Sequence, residues 1–94
     1  MHHPDFRVAG KIFATLGYPD KNWGMVKLTP EQQDEFVRAE PIVFAPVNGE
    51  WGEGGATSVC LRPARAATLR RAMAAAWCNT APKPLAQLFE SKIR

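Results

Sequence analysis

Ninety-four residues are enough for one domain and leave no room for two independent cores. With 46% apolar residues the chain is globular rather than disordered, and no apolar run approaches the roughly 18 residues of a membrane helix. The formal charge of +3 is unevenly spread: residues 1–60 carry five Lys/Arg against eight Asp/Glu (net −3), while residues 61–94 carry seven against Glu90 alone (net +6).

The N-terminus, Met1-His2-His3-Pro4-Asp5, has no basic stretch followed by an apolar one. No signal peptide is read there, and a cytoplasmic location is the expectation. Phe6 and Val8 alternate with Arg7 at the strand period, and Lys11 to Leu16 resumes as a β-rich run. The Ala9-Gly10 interruption between them reads as a tight hairpin. Turn formers crowd Gly17 to Asn22, after which Trp23 to Leu28 makes a third strand with Val26 and Leu28 on one face. Three such strands in succession suggest an antiparallel meander.

Thr29-Pro30-Glu31-Gln32 is a helix start. Thr29 can cap free backbone N–H groups, Pro30 suits the first helical position, and Gln32 completes a capping box. Glu31, Asp34 and Glu35 suit the positive end of the helix dipole. The helix should end near Ala39, because Pro41 disfavours helical geometry at Glu40. Its buried stripe is narrow, resting on Phe36 and Val37.

Ile42 to Ala45 reads as a fourth strand, apolar on both faces and therefore central or covered. Asn48-Gly49 is a hairpin signal. The glycine-dense Trp51 to Gly55 should bulge or bend before a returning strand over Ala56 to Arg62. The last third is helical: Leu69, Ala72, Met73, Ala76 and Trp77 share one face, with Arg71 opposite and Arg70 at the flank. Asn79 suits a left-handed helix end, and Pro82 blocks continuation. A short final helix is predicted from Pro84, with Leu85, Leu88 and Phe89 facing inward.

These motifs, in this order, resemble the MmcQ/YjbR family. The resemblance runs from residue 3 to about residue 88. It is carried by His3-Pro4-Asp5-Phe6-Arg7-Val8-Ala9-Gly10-Lys11-Ile12-Phe13-Ala14, then Val26-Lys27-Leu28-Thr29-Pro30-Glu31-Gln32. Pro46 with Gly49-Glu50-Trp51-Gly52 follows, and then Ala81-Pro82-Lys83 with Leu85. The resemblance implies a two-layer α+β fold similar to secretion chaperones, α-β(3)-α-β(2)-α. Here that becomes an antiparallel sheet of about five strands with helices on one side, in the order β(3)-α-β(2)-α-α. It also implies DNA binding through a double-wing arrangement of β-hairpins, an expectation that fold alone does not establish.

Two departures from the family matter. Its members usually carry an amphipathic helix before the His-Pro-Asp-Phe strand, whereas this sequence opens on that strand. An uncovered sheet face would leave apolar area for a second subunit, so a homodimer or a weakly stable monomer is expected. Ala56-Thr57 follows Gly55 where the family commonly has an aromatic, so that position should contribute less here.

No catalytic constellation stands out. His2 and His3 with Asp5 lack the further ligands that zinc wants, and no cofactor or metal is expected. Cys60 and Cys78 have no CxxC or zinc spacing and read as small hydrophobic thiols. Ser58 and Ser91 lack a glycine elbow. The Gly49-x-x-Gly52-x-Gly54-Gly55 pattern has neither a Walker lysine nor a strand-to-helix setting, and reads as turn geometry. The acids Glu31, Asp34, Glu35 and Glu40 read as a solvated helix face.

The basic residues remain. Arg7 and Lys11 flank the first hairpin; Arg62, Arg65, Arg70, Arg71 and Lys83 cluster late in the chain; Trp51 sits at the second turn. A Lys/Arg-bearing wing can contact phosphates, and an exposed aromatic can stack on bases. These eight residues form the candidate nucleic-acid-binding set, although a pI near 9.2 is modest for such a role. The expectation is a non-enzymatic binding protein with DNA as partner and no membrane association. The alternative is a protein- or peptide-binding module, marked by an apolar surface and binding insensitive to salt. A small-molecule cleft beside Trp23 or Trp51 is a third reading with no motif behind it.

Overall fold

The computed structural model describes residues 5–17 and 21–82. Strands β1 (Asp5–Val8), β2 (Lys11–Leu16) and β3 (Trp23–Lys27) form the expected meander. They are followed by α1 (Pro30–Ala39), β4 (Phe44–Pro46), α2 (Glu50–Glu53), β5 (Ala56–Cys60) and α3 (Ala66–Thr80). The five strands make one antiparallel sheet in the order β1-β2-β3-β5-β4.

Ala9 and Gly10 both have positive φ (51° and 80°), the requirement of the two-residue turn that matches strand twist. Between β1 and β2 the register slips: Phe6 faces Ala14 and Arg7 faces Ile12, which leaves Phe13 as an extra residue. That bulge explains why Phe13 and Ala14 are buried in succession, where a regular strand would alternate.

One sheet face carries Ala14, Val26, Thr57, Val59 and Phe44, cross-strand neighbours that are all buried. Helix α3 packs over β2 and β3, while α1 packs over β4 and β5. The Phe36 ring meets Phe44 edge-on at 5.0 Å. Ala72 and Ala76 are fully buried, and their small side chains let α3 lie close to the sheet. The buried stripe of α3 is rotated from the expected one. It runs through Thr68, Ala72 and Ala76, with Leu69, Met73 and Trp77 half-buried beside it.

Four further expectations change. The apolar run Ile42–Ala45 is not a central strand: Val43 and Phe44 both donate to the Glu40 carbonyl at 3.0 Å, so residues 41–43 form a turn. Ile42 is 79% exposed, and β4 is an edge strand covered by Phe36. Asn48-Gly49 does not make a tight hairpin. The Val47 N–H donates to the Ala56 carbonyl, and residues 48–55 between them include the helical turn α2. The returning strand stops at Cys60, and residues 61–63 form a turn. Asn79 does not end α3; the helix runs to Thr80 and its cap, Ala81, is extended. The helix predicted from Pro84 lies outside the described residues.

The capping box of α1 is complete. Gln32 donates its backbone N–H to Thr29 Oγ1 at 3.1 Å, and Thr29 donates its own to Gln32 Oε1 at 3.0 Å. Gln32 Oε1 also accepts from Asn79 Nδ2 at 2.6 Å, which ties the start of α1 to the end of α3. Thr29→Ala is therefore expected to lower stability by about 1 kcal/mol. An unchanged urea midpoint would contradict that role.

Candidate nucleic-acid interface

Strand direction decides where the basic residues lie. β1 ends and β2 begins at the same end of the sheet, so Arg7 and Lys11 flank the first turn there, both exposed. Arg7 also donates to the Gly10 carbonyl at 3.3 Å, which stiffens that wing. β5 runs antiparallel to β3 and finishes at the opposite end, where Trp23 pairs with Cys60. Arg62 and Arg65 follow there in the connection to α3, both exposed. Helix α3 then returns along the sheet with Arg70 and Arg71 exposed, and its far end reaches Lys27 through Asn79. The candidate set is thus divided between the two ends of the sheet and joined along α3, rather than gathered in one patch. Lys83 lies outside the described residues.

Arg65 occupies the N-cap of α3 and makes no side-chain cap. The Glu40 carboxylate instead reaches the first turn, accepting from Thr68 Oγ1 at 3.0 Å. A negative charge there favours the helix dipole, whereas the arginine opposes it. Segment 61–80 therefore exposes four arginines and contains no acidic residue of its own.

The second turn differs from a basic wing. Residues 46–56 contain no Lys or Arg, and α2 exposes Glu50 and Glu53. Its distinguishing side chain is Trp51, 67% exposed. Four contacts fix the segment that presents it. Gln33 of α1 donates from Nε2 to the carbonyls of Gly52 and Ala56, both at 2.9 Å. Gly52 is buried against the Val47 carbonyl so closely that a Cβ would lie 1.6 Å from its oxygen. Gly55 (φ +113°) runs against the Leu28 carbonyl in the same way, at 1.9 Å.

Sequence reading missed Lys27. It lies on β3 with its Nζ 6.0 Å from the centre of the Trp51 ring. Together with Leu28, Glu50, Ala56 and Asn79 they line an open cleft of about 370 Å³. The signal for Lys27 was present in part, since alternation along β3 turns it away from the core side of Val26. Its approach to Trp51 depends on α2, which the sequence did not announce.

Among the described residues no group of three His, Cys, Asp or Glu is placed to hold a metal, and both cysteines are half-buried. No helix of the described residues is long and apolar enough to cross a membrane. A five-stranded antiparallel sheet with α1 and α3 on one face, bearing a basic helix and an aromatic turn, defines a two-layer α+β domain. The chain belongs to the YjbR family, whose model matches residues 1–79. No curated protein and no solved structure matches it.

Proposed function

We propose that this YjbR-family domain is a non-enzymatic DNA-binding protein that contacts phosphates through α3, its preceding turn and the first wing. The observation carrying this reading is the acid-free segment 61–80, with Arg62, Arg65, Arg70 and Arg71 all exposed. The divided arrangement favours backbone contacts along a duplex over a single base-reading patch. Trp51 lies on an acidic turn, so the second wing contributes stacking rather than charge.

Such binding is electrostatic and responds to salt accordingly. About four phosphate contacts imply that raising salt from roughly 50 to 200 mM weakens duplex binding about 100-fold. The Arg70→Ala/Arg71→Ala double variant should bind more weakly and with a salt slope reduced by about two. Fluorescence anisotropy with a labelled duplex measures both. No binding at about 50 mM salt would end the proposal.

A second reading, a protein- or peptide-binding module, draws on the other sheet face. Trp23, Met25 and Cys60 are half-exposed on it. The same face suits a second copy of the chain. This reading predicts association that is insensitive to salt and depends on Trp23 and Met25.

A further inference from the structure

The cleft beneath Trp51 has a composition that selects a ligand class. Its one large apolar wall is the indole of Trp51, a residue 67% exposed and so open to a stacking partner. Leu28 and Ala56 add little apolar area to the lining. The positive charge in reach is Lys27. No ion pair or hydrogen bond holds its ammonium among the described residues, and it lies over the Trp51 ring. At 6.0 Å the ammonium sits at the outer limit of attraction to the ring, near it without sealing it.

The third wall is Asn79. Its Nδ2 is committed to the Lys27 carbonyl at 3.2 Å and to Gln32 Oε1 at 2.6 Å. Both bonds orient the amide, so Oδ1 is left as a fixed acceptor without a partner among the described residues. Gly54, also on the lining, adds no side chain.

We propose that this cleft binds a single nucleotide unit. The base stacks on Trp51, the phosphate pairs with Lys27, and an exocyclic amine of the base donates to Asn79 Oδ1. A purely apolar ligand would leave Lys27 and Asn79 unsatisfied, and an organic cation would meet the ammonium on the very face it needs. A volume of about 370 Å³ admits a ring system with one charged group and little more. Glu50 lines the same cleft and works against an anion, so affinity is weak and removing that charge strengthens it. The unit is supplied either by a free nucleotide or by an unpaired base in a single strand. The site shares Trp51 with the DNA reading above and needs none of the arginines of α3.

The test titrates the whole protein with adenosine 5′-monophosphate and, separately, with a short oligodeoxyadenylate, following by NMR the Trp51 indole N–H and the Asn79 side-chain amide, the latter being the readout in Trp51→Ala. Saturation by the mononucleotide identifies a free-nucleotide site, and saturation by the oligomer alone identifies a strand unit; either supports the proposal. Trp51→Ala should weaken binding about tenfold or more, the loss expected of one stacked base. Lys27→Met should weaken it several-fold and Glu50→Gln should strengthen it. Trp51 and Glu50 are exposed, so their replacement leaves the fold intact. The Arg70→Ala/Arg71→Ala variant should bind the mononucleotide normally, which separates this site from duplex binding. An indole signal unmoved by both ligands, unchanged binding in Trp51→Ala, or weaker binding in Glu50→Gln would overturn the proposal.

Discussion

Gly55→Ala is expected to destabilise the domain by about 3 kcal/mol or more, while Gly54→Ala next to it is expected to be nearly neutral. At Gly55 a methyl group would lie 1.9 Å from the Leu28 carbonyl oxygen and 2.8 Å from its carbon, both backbone atoms that cannot step aside alone. The φ of +113° adds strain for any L side chain. Relief by movement is blocked, because the Gly55 carbonyl accepts from Leu28 N at 3.2 Å and from Thr57 Oγ1 at 2.8 Å. Overpacking of roughly 1–3 kcal/mol thus adds to backbone strain of similar size.

At Gly54 the nearest atoms to a new Cβ are 3.6 Å away, an ordinary contact, and φ is −81°. For a domain of this length, 3 kcal/mol is a large share of the total stability and lowers Tm on the order of 15 °C. Paired thermal melts decide the matter: equal melting of the two variants would show that Gly55 is not the anchor of this turn. The consequence reaches function, since the same turn carries Trp51 to Lys27.

The elements legible in the sequence are those set by neighbours along the chain. Ala9-Gly10 needed only its own two positive φ values, and Thr29-Pro30 with Gln32 needed only its own capping bonds. The elements that were misread depend on partners far away. Asn48-Gly49 has the chemistry of a tight turn, but Gln33 of α1 and the Leu28 carbonyl gather residues 52–56 into a wider path. Ile42–Ala45 looked central because its apolar residues face two ways. Only the Glu40 turn shows that Ile42 is left outside and Phe44 turned in.

The candidate site divides along the same line. Exposure of Arg70 and Arg71 followed from helical geometry, which is local. Which end of the sheet holds Arg62, and which holds Arg7, followed from the pairing of β3 with β5 and could not be read from charge counts. Lys27 and Trp51 meet for the same reason, through an element whose position is set by nonlocal contacts.

Phe44→Ala is expected to cost about 3–5 kcal/mol, against less than about 0.5 kcal/mol for Ile42→Ala two residues earlier. Phe44 is 1% exposed and heads the largest fully buried side chains, whereas Ile42 is 79% exposed. The loss should not be spread evenly. Helix α1 has no fully buried residue and holds to the sheet through half-buried Phe36 and Val37. Phe36 meets Phe44 directly at 5.0 Å. Helix α3, by contrast, packs on β2 and β3 through Ala72 and Ala76, away from the edge strand. Removing the Phe44 ring should therefore release α1 first, and its amide hydrogens should exchange faster before those of α3 change. Phe44→Leu, which keeps most of the volume, gives the same order with a smaller loss if the alanine variant does not fold. Because Gln33 ties α1 to the Trp51 turn, the indole N–H of Trp51 should broaden or shift along with α1. Uniform acceleration across both helices would show instead that α1 and α3 unfold as one unit, and that the edge strand has no separate hold on the Trp51 cleft.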